Sequence, residues 1–61
     1  MPLVTVKVKG VRTIEQKRAL VKDITEAVVK HFKVQPEVVT IDIVEYSEEN
    51  MAKAGKLFID R

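Results

Sequence analysis

Apolar and polar residues alternate from the start of the chain. Val4, Val6 and Val8 fall on one side of an extended segment, and Leu3, Thr5, Lys7 and Lys9 on the other. The β-branched content suits a strand. Gly10 frees the backbone to turn, and Val11-Arg12 form a short connection. From Thr13 the spacing changes to three and four. Leu20, Ile24, Ala27, Val28 and His31 make one apolar stripe of a helix, widened by Val21 and Phe32. Thr13-Ile14-Glu15-Gln16 fits a capping box, in which the threonine oxygen accepts from the Gln16 N–H and the glutamine amide reaches back. Glu26 and Lys30 sit four apart on the wet face, in the favourable order for a weak pair. Pro36 cannot continue the helix and pushes Gln35 towards extended backbone, so the helix is predicted to end near Lys33. Alternation returns from about Val39 to Tyr46. Val39, Ile41 and Ile43 point one way, and Thr40, Asp42, Val44 and Tyr46 the other.

Strand, helix, strand in this order predicts an α/β chain: a single βαβ unit with parallel strands and a right-handed crossover. One helix covers one face of a two-stranded sheet. The opposite face needs cover from another copy, or stays wet. The tail carries mixed signals. Ser47 to Ala54 reads locally as a capped helix with Glu48 and Glu49 in its first turn, ended by Gly55, and Leu57-Phe58-Ile59 resembles a short strand. Local evidence taken alone favours a helical turn over a hairpin.

Size and composition change the picture in one respect. Sixty-one residues make a single domain, 1–61, near the lower limit for folding alone. There is no cysteine to staple it, yet 46% of the residues are hydrophobic. Apolar surface that one copy cannot bury is expected to be buried between copies, as in an obligate homo-oligomer. The net charge of +2 is small and dispersed, which argues against nucleic acid as a partner. No run is long enough to cross a membrane, and the lysine-bearing first strand does not resemble a signal peptide, so the cytoplasm is the expected location.

Few residues offer chemistry. His31, the single histidine, lies late on the helix where the dipole favours it without further role. One histidine, no cysteine and scattered carboxylates give no metal site, and no Ser-His-Asp set can be assembled around that histidine. Gly10 and Gly55 are too few for a phosphate-cradling loop. Pro2 directly follows the initiator methionine. With Met1 in place its nitrogen is a tertiary amide, and with Met1 removed it is a free secondary amine on an anchored strand. The alternative is a proline that simply opens a strand. Arg12, before a helix N-terminus, could hold a carboxylate in two hydrogen bonds, or be a solvated loop arginine.

Met-Pro before an alternating strand, then Gly10, Arg12, Glu15-Gln16-Lys17 and Thr25-Glu26-Ala27, resembles the 4-oxalocrotonate tautomerase family. The later Glu45 and Glu49-Asn50-Met51-Ala52-Lys53-Ala54-Gly55-Lys56 continue the resemblance across the whole chain. It implies a βαβ subunit with a short C-terminal hairpin, against the local reading of the tail, assembled as a homohexamer (a trimer of dimers). It also implies a cofactor-independent tautomerase of 2-hydroxydienoate or 2-hydroxymuconate-type acids, in aromatic degradation, whose partner is a small enol carboxylate. Pro2 matches the family's general base and Arg12 its carboxylate-binding arginine. Thr40 falls where the family has a second arginine and Met51 where it has an aromatic residue. Both substrate-binding positions therefore depart from the pattern. Monocarboxylate enols such as phenylenolpyruvate are then alternative substrates, and Arg61 of a neighbour is a possible replacement cation. The same amine could instead serve a hydratase or dehalogenase of unsaturated acids, and a non-catalytic oligomeric module is the remaining alternative.

Overall fold

Seven residues of alternating sequence, Leu3–Lys9, form strand β1, and a second set of seven, Thr40–Tyr46, forms β2. The two pair in parallel, from Leu3 opposite Thr40 to Lys9 opposite Tyr46. The computed structural model describes all residues from 1 to 61. Helix α1, Ile14–Phe32, makes the crossover. Thr13 caps it as the sequence predicts: its hydroxyl accepts from the Gln16 N–H at 3.1 Å, and the Thr13 N–H donates to the Gln16 side chain at 3.0 Å. At the far end Lys33 takes a left-handed conformation, φ 59°, and donates its N–H to the Val29 carbonyl at 3.0 Å. A one-turn 3-10 helix, Pro36–Val38, then leads into β2.

In both strands the half-buried positions alternate with exposed ones: Val4, Val6 and Val8 in β1, Ile41, Ile43 and Glu45 in β2. Val21, Ile24, Thr25, Val28 and Val29 are the half-buried residues along the middle of α1. The stripe read from the sequence is thus shifted: Ala27 and His31 are exposed. Glu26 and Lys30 form no ion pair, and the charge pair within the helix joins Glu15 and Arg18.

The tail follows the resemblance rather than its local sequence. Only Glu48–Asn50 coil, as a 3-10 turn. Ala52–Lys53 (β3) and Lys56–Leu57 (β4) then pair antiparallel. Ala54 and Gly55 join them with φ of 53° and 78°, the left-handed backbone that a tight two-residue hairpin of this kind requires. The strand expected at Leu57-Phe58-Ile59 is confined to Lys56–Leu57, and Phe58–Asp60 form a last 3-10 turn.

Not one of the 61 residues is fully buried in the single chain. Its radius of gyration is 15.1 Å, against about 10.5 Å for a compact domain of this length. Its accessible surface is 4991 Å², about 1,000 Å² more than a folded monomer of this mass exposes. Leu3, Val11, Ile14, Phe32 and Ile59 are all more than half exposed. A sheet only two strands wide is too narrow to cover the apolar stripe of its helix, and its other face has no cover at all.

Candidate active site

The ladder that pairs β1 with β2 continues beyond both strand ends. At one end the Thr40 N–H donates to the Pro2 carbonyl at 3.1 Å, which pins residue 2 to the start of β2. Pro2 is half-buried, whereas Met1 is 94% exposed. The Pro2 nitrogen carries Met1 as its acyl group in this chain and has no proton to exchange. Thr40 is exposed, on the strand position opposite Leu3.

At the other end the Gly10 N–H donates to the Tyr46 carbonyl at 2.9 Å. Gly10 has φ 87°, a left-handed conformation that sends the chain away from the sheet. Arg12 follows in the resulting loop. Its backbone N–H donates to Glu45 Oε2 at 2.9 Å, and its Nη1 reaches the Lys9 carbonyl at 3.4 Å. That single long bond leaves most of the five guanidinium donors free. Glu45 takes a second partner, Lys17 Nζ, at 2.8 Å from Oε1. Both side chains are about one-quarter exposed, Lys17 at 27% and Glu45 at 26%. The ammonium of Lys17, then the N–H of Arg12, hold the Glu45 carboxyl below the ordinary glutamate range. A cleft of about 190 Å³ lies alongside, lined by Val8, Arg12, Gln16, Lys17, Leu20 and Ile43.

Met51 follows the Glu48–Asn50 turn, which Lys9 ties to the sheet through Glu48 at 3.1 Å. Met51 is half-buried and accepts the Phe58 N–H at 2.8 Å, so its backbone helps to close the hairpin. Arg61 lies over the Phe58 ring, 5.2 Å from its centre.

The four candidate residues therefore fall into two groups. Pro2 and Thr40 share the amino-terminal edge of the sheet. Arg12 sits at the opposite edge, from which the segment bearing Met51 departs. The seven residues of β1, at about 3.3 Å each, put those edges about 20 Å apart. No single chain brings Pro2 and Arg12 to one small molecule. Glu45, which accepts from both Arg12 and Lys17 here, carries a signal in the sequence: the alternation of β2 sets it on the same side as Ile41 and Ile43. A carboxylate in such a place needs partners.

The family model described as "Tautomerase enzyme" matches residues 2–61. The 2-hydroxymuconate tautomerase of Bacillus subtilis (strain 168) is 43% identical over 60 residues, which span 98% of this chain and 97% of its own. Among solved structures, YwhB, a homologue of 4-oxalocrotonate tautomerase, matches with a TM-score of 0.82 at 42% identity, covering 98% of each chain. A structure from work on the 4-oxalocrotonate tautomerase isozymes of Methylibium petroleiphilum matches at 0.80 and 40% identity, over 95% of this chain and 91% of that one. A parallel βαβ unit with a terminal hairpin, shared end to end with such relatives, makes this chain a member of the tautomerase family, enzymes of the isomerase class.

Proposed function

We propose that the chain is a cofactor-independent enol–keto tautomerase of 2-hydroxydienoate acids, working in the cytoplasm as a homohexamer, with Pro2 as its general base once Met1 is removed. The observation that carries this reading is the position of Pro2, held by Thr40 at the edge of the sheet, in a chain similar over 98% of its length to a 2-hydroxymuconate tautomerase. Met1 projects into solvent, so the fold does not obstruct its removal.

The released nitrogen is a secondary amine. A free α-amine titrates near ~7.7–8.0, a secondary one higher, and apolar surroundings or a neighbouring cation lower the value. The neutral amine is then available near neutral pH, as general-base catalysis requires. It takes the proton of the 2-hydroxyl group, the electron pair moves through the diene, or through the one enol double bond of phenylenolpyruvate, and the protonated amine returns the proton at the carbon end of that system to leave the ketone. Such transfer contributes a factor of roughly 10²–10⁴, so the dienolate also needs electrostatic stabilisation.

Arg12 supplies positive charge for the substrate carboxylate through its unused donors, and it does so from a second copy, because the Pro2 of its own chain lies at the other edge of the sheet. The exposed apolar residues and the excess surface support such an assembly: about 800 Å² per partner is the usual size of a stable interface. Thr40 contributes a hydroxyl but no charge where a second cation would hold a second carboxylate. Met51 contributes an apolar, flexible wall. This set suits a monocarboxylate enol better than a dicarboxylate. The test is ketonisation of phenylenolpyruvate and of 2-hydroxymuconate by protein whose intact mass shows that it begins at Pro2. Turnover that prefers the monocarboxylate is expected. Assembled, processed protein that ketonises neither acid contradicts the proposal.

A further inference from the structure

The loop between β1 and α1 has few means of holding its shape. Val11 is 83% exposed. Gly10 is tied to Tyr46 on one side and Thr13 to Gln16 on the other, and between them the backbone of Arg12 has one partner, the Glu45 carboxylate at 2.9 Å. The second oxygen of that carboxylate is taken by Lys17 on the first turn of α1, at 2.8 Å. Glu45 thus joins three elements: the end of β2, the loop and the start of the helix. Each oxygen has its own donor, so the carboxylate cannot rotate towards one without leaving the other.

From this geometry we infer that Glu45 is a positioning residue for Arg12, fixing the loop backbone so that the guanidinium is presented to a substrate carboxylate. The inference rests on the reading of Arg12 as the carboxylate anchor. Lys17 has two effects here. It orients Glu45 and it neutralises a negative charge that would otherwise repel an anionic substrate close to Arg12. Loss of the clamp leaves the guanidinium in place chemically but spreads it over many positions, so the effect falls on binding more than on proton transfer at Pro2. A structural staple between helix and sheet, with no part in binding, would show itself differently: its loss would lower stability and turnover together.

The experiment uses the processed, assembled protein with phenylenolpyruvate as substrate. Glu45→Ala is expected to raise KM about tenfold, the effect of losing one hydrogen bond to a charged group, with kcat within about twofold. The Arg12 amide should exchange its hydrogen faster in that variant. Glu45→Gln retains a carbonyl oxygen for the Arg12 N–H, and recovers most of the KM. An unaltered KM, or a Glu45→Gln variant as impaired as Glu45→Ala, overturns the inference. If Glu45→Ala does not assemble, Glu45→Asp carries the test: the charge stays, the reach shortens, and KM rises, whereas an unaltered KM overturns the inference. Arg12→Ala, measured alongside, separates the two readings. A raised KM there with an unaltered KM in Glu45→Ala removes the positioning role alone. An unaltered KM in Arg12→Ala removes the anchor, and the positioning role with it.

Discussion

A protein blocked at its base and one weakened at its anchor should make a more active one when mixed. In one, an extension of the amino terminus keeps the Pro2 nitrogen acylated. In the other, Pro2 is free and Arg12→Ala removes the guanidinium. The seven residues of β1 separate the two groups by about 20 Å. An extended arginine spans well under half of that, and the Arg12 side chain turns instead to the carbonyl of Lys9. If both groups serve one site, as proposed, each site takes its amine from one chain and its guanidinium from another. Refolded together in equal amounts with random assembly, about one quarter of the sites in a closed symmetric oligomer receive both intact groups. At substrate well below KM, phenylenolpyruvate ketonisation should therefore recover to about a quarter of the unmodified rate, after a lag set by subunit exchange. Mass spectrometry of the intact assemblies verifies that mixed oligomers form. If they form and the rate stays at the level of the separate variants, the two groups belong to one chain, and the two-edge geometry is wrong.

Three other outcomes follow from the same structure. Dilution should lower the thermal midpoint, because a chain with no fully buried residue is expected to draw its stability from the proposed assembly; a midpoint independent of concentration down to nanomolar protein contradicts this. Glu45 has a depressed pKa, so as pH falls the unfolded chain takes up this proton first. Its contribution is complete above the ordinary glutamate range and is lost as pH drops through the folded value. The difference in thermal midpoint between the parent and Glu45→Gln should accordingly shrink on acidification, and a difference that grows would reverse the sign. Gly10→Ala places a side chain at φ 87°, at a cost of about 1–2 kcal/mol, read as a lower midpoint in thermal melts. Because the turn also aims the Arg12 loop, KM should rise in the same variant.

The strands and the helix were legible because each obeys a single local rule. Period-two alternation gave β1 and β2, and Thr13-Ile14-Glu15-Gln16 with Pro36 bounded α1. The tail was not legible in that way. Ser47 to Ala54 has a helical cap and acidic first turn, but its chain reverses at Ala54-Gly55, where backbone of positive φ closes β3 on β4. Local propensity is a weak guide where tertiary contacts decide, and the whole-chain resemblance was the better one. The sequence places Phe32 on the widened side of the α1 stripe, and the two-stranded sheet leaves it 66% exposed in the lone chain. Pro2 and Arg12 were visible as unusual residues at unusual places. Their separation was not, since it depends on the strand being straight between them. The contact of Arg12 with Glu45 spans 33 positions and that of Lys17 with Glu45 spans 28, beyond any local pattern. Only the parity of β2, with a carboxylate aligned on Ile41 and Ile43, hinted that such partners were needed.

The proposed chemistry requires the nitrogen of Pro2 to act as a base near neutral pH. Its titration can be followed directly by ¹⁵N NMR in labelled, processed protein and set against the pH dependence of kcat/KM. The predicted result is one shared pKa, lowered from that of an unconstrained secondary amine. A nitrogen that titrates well above the kinetic pKa, or full turnover by protein that still carries Met1, would contradict it.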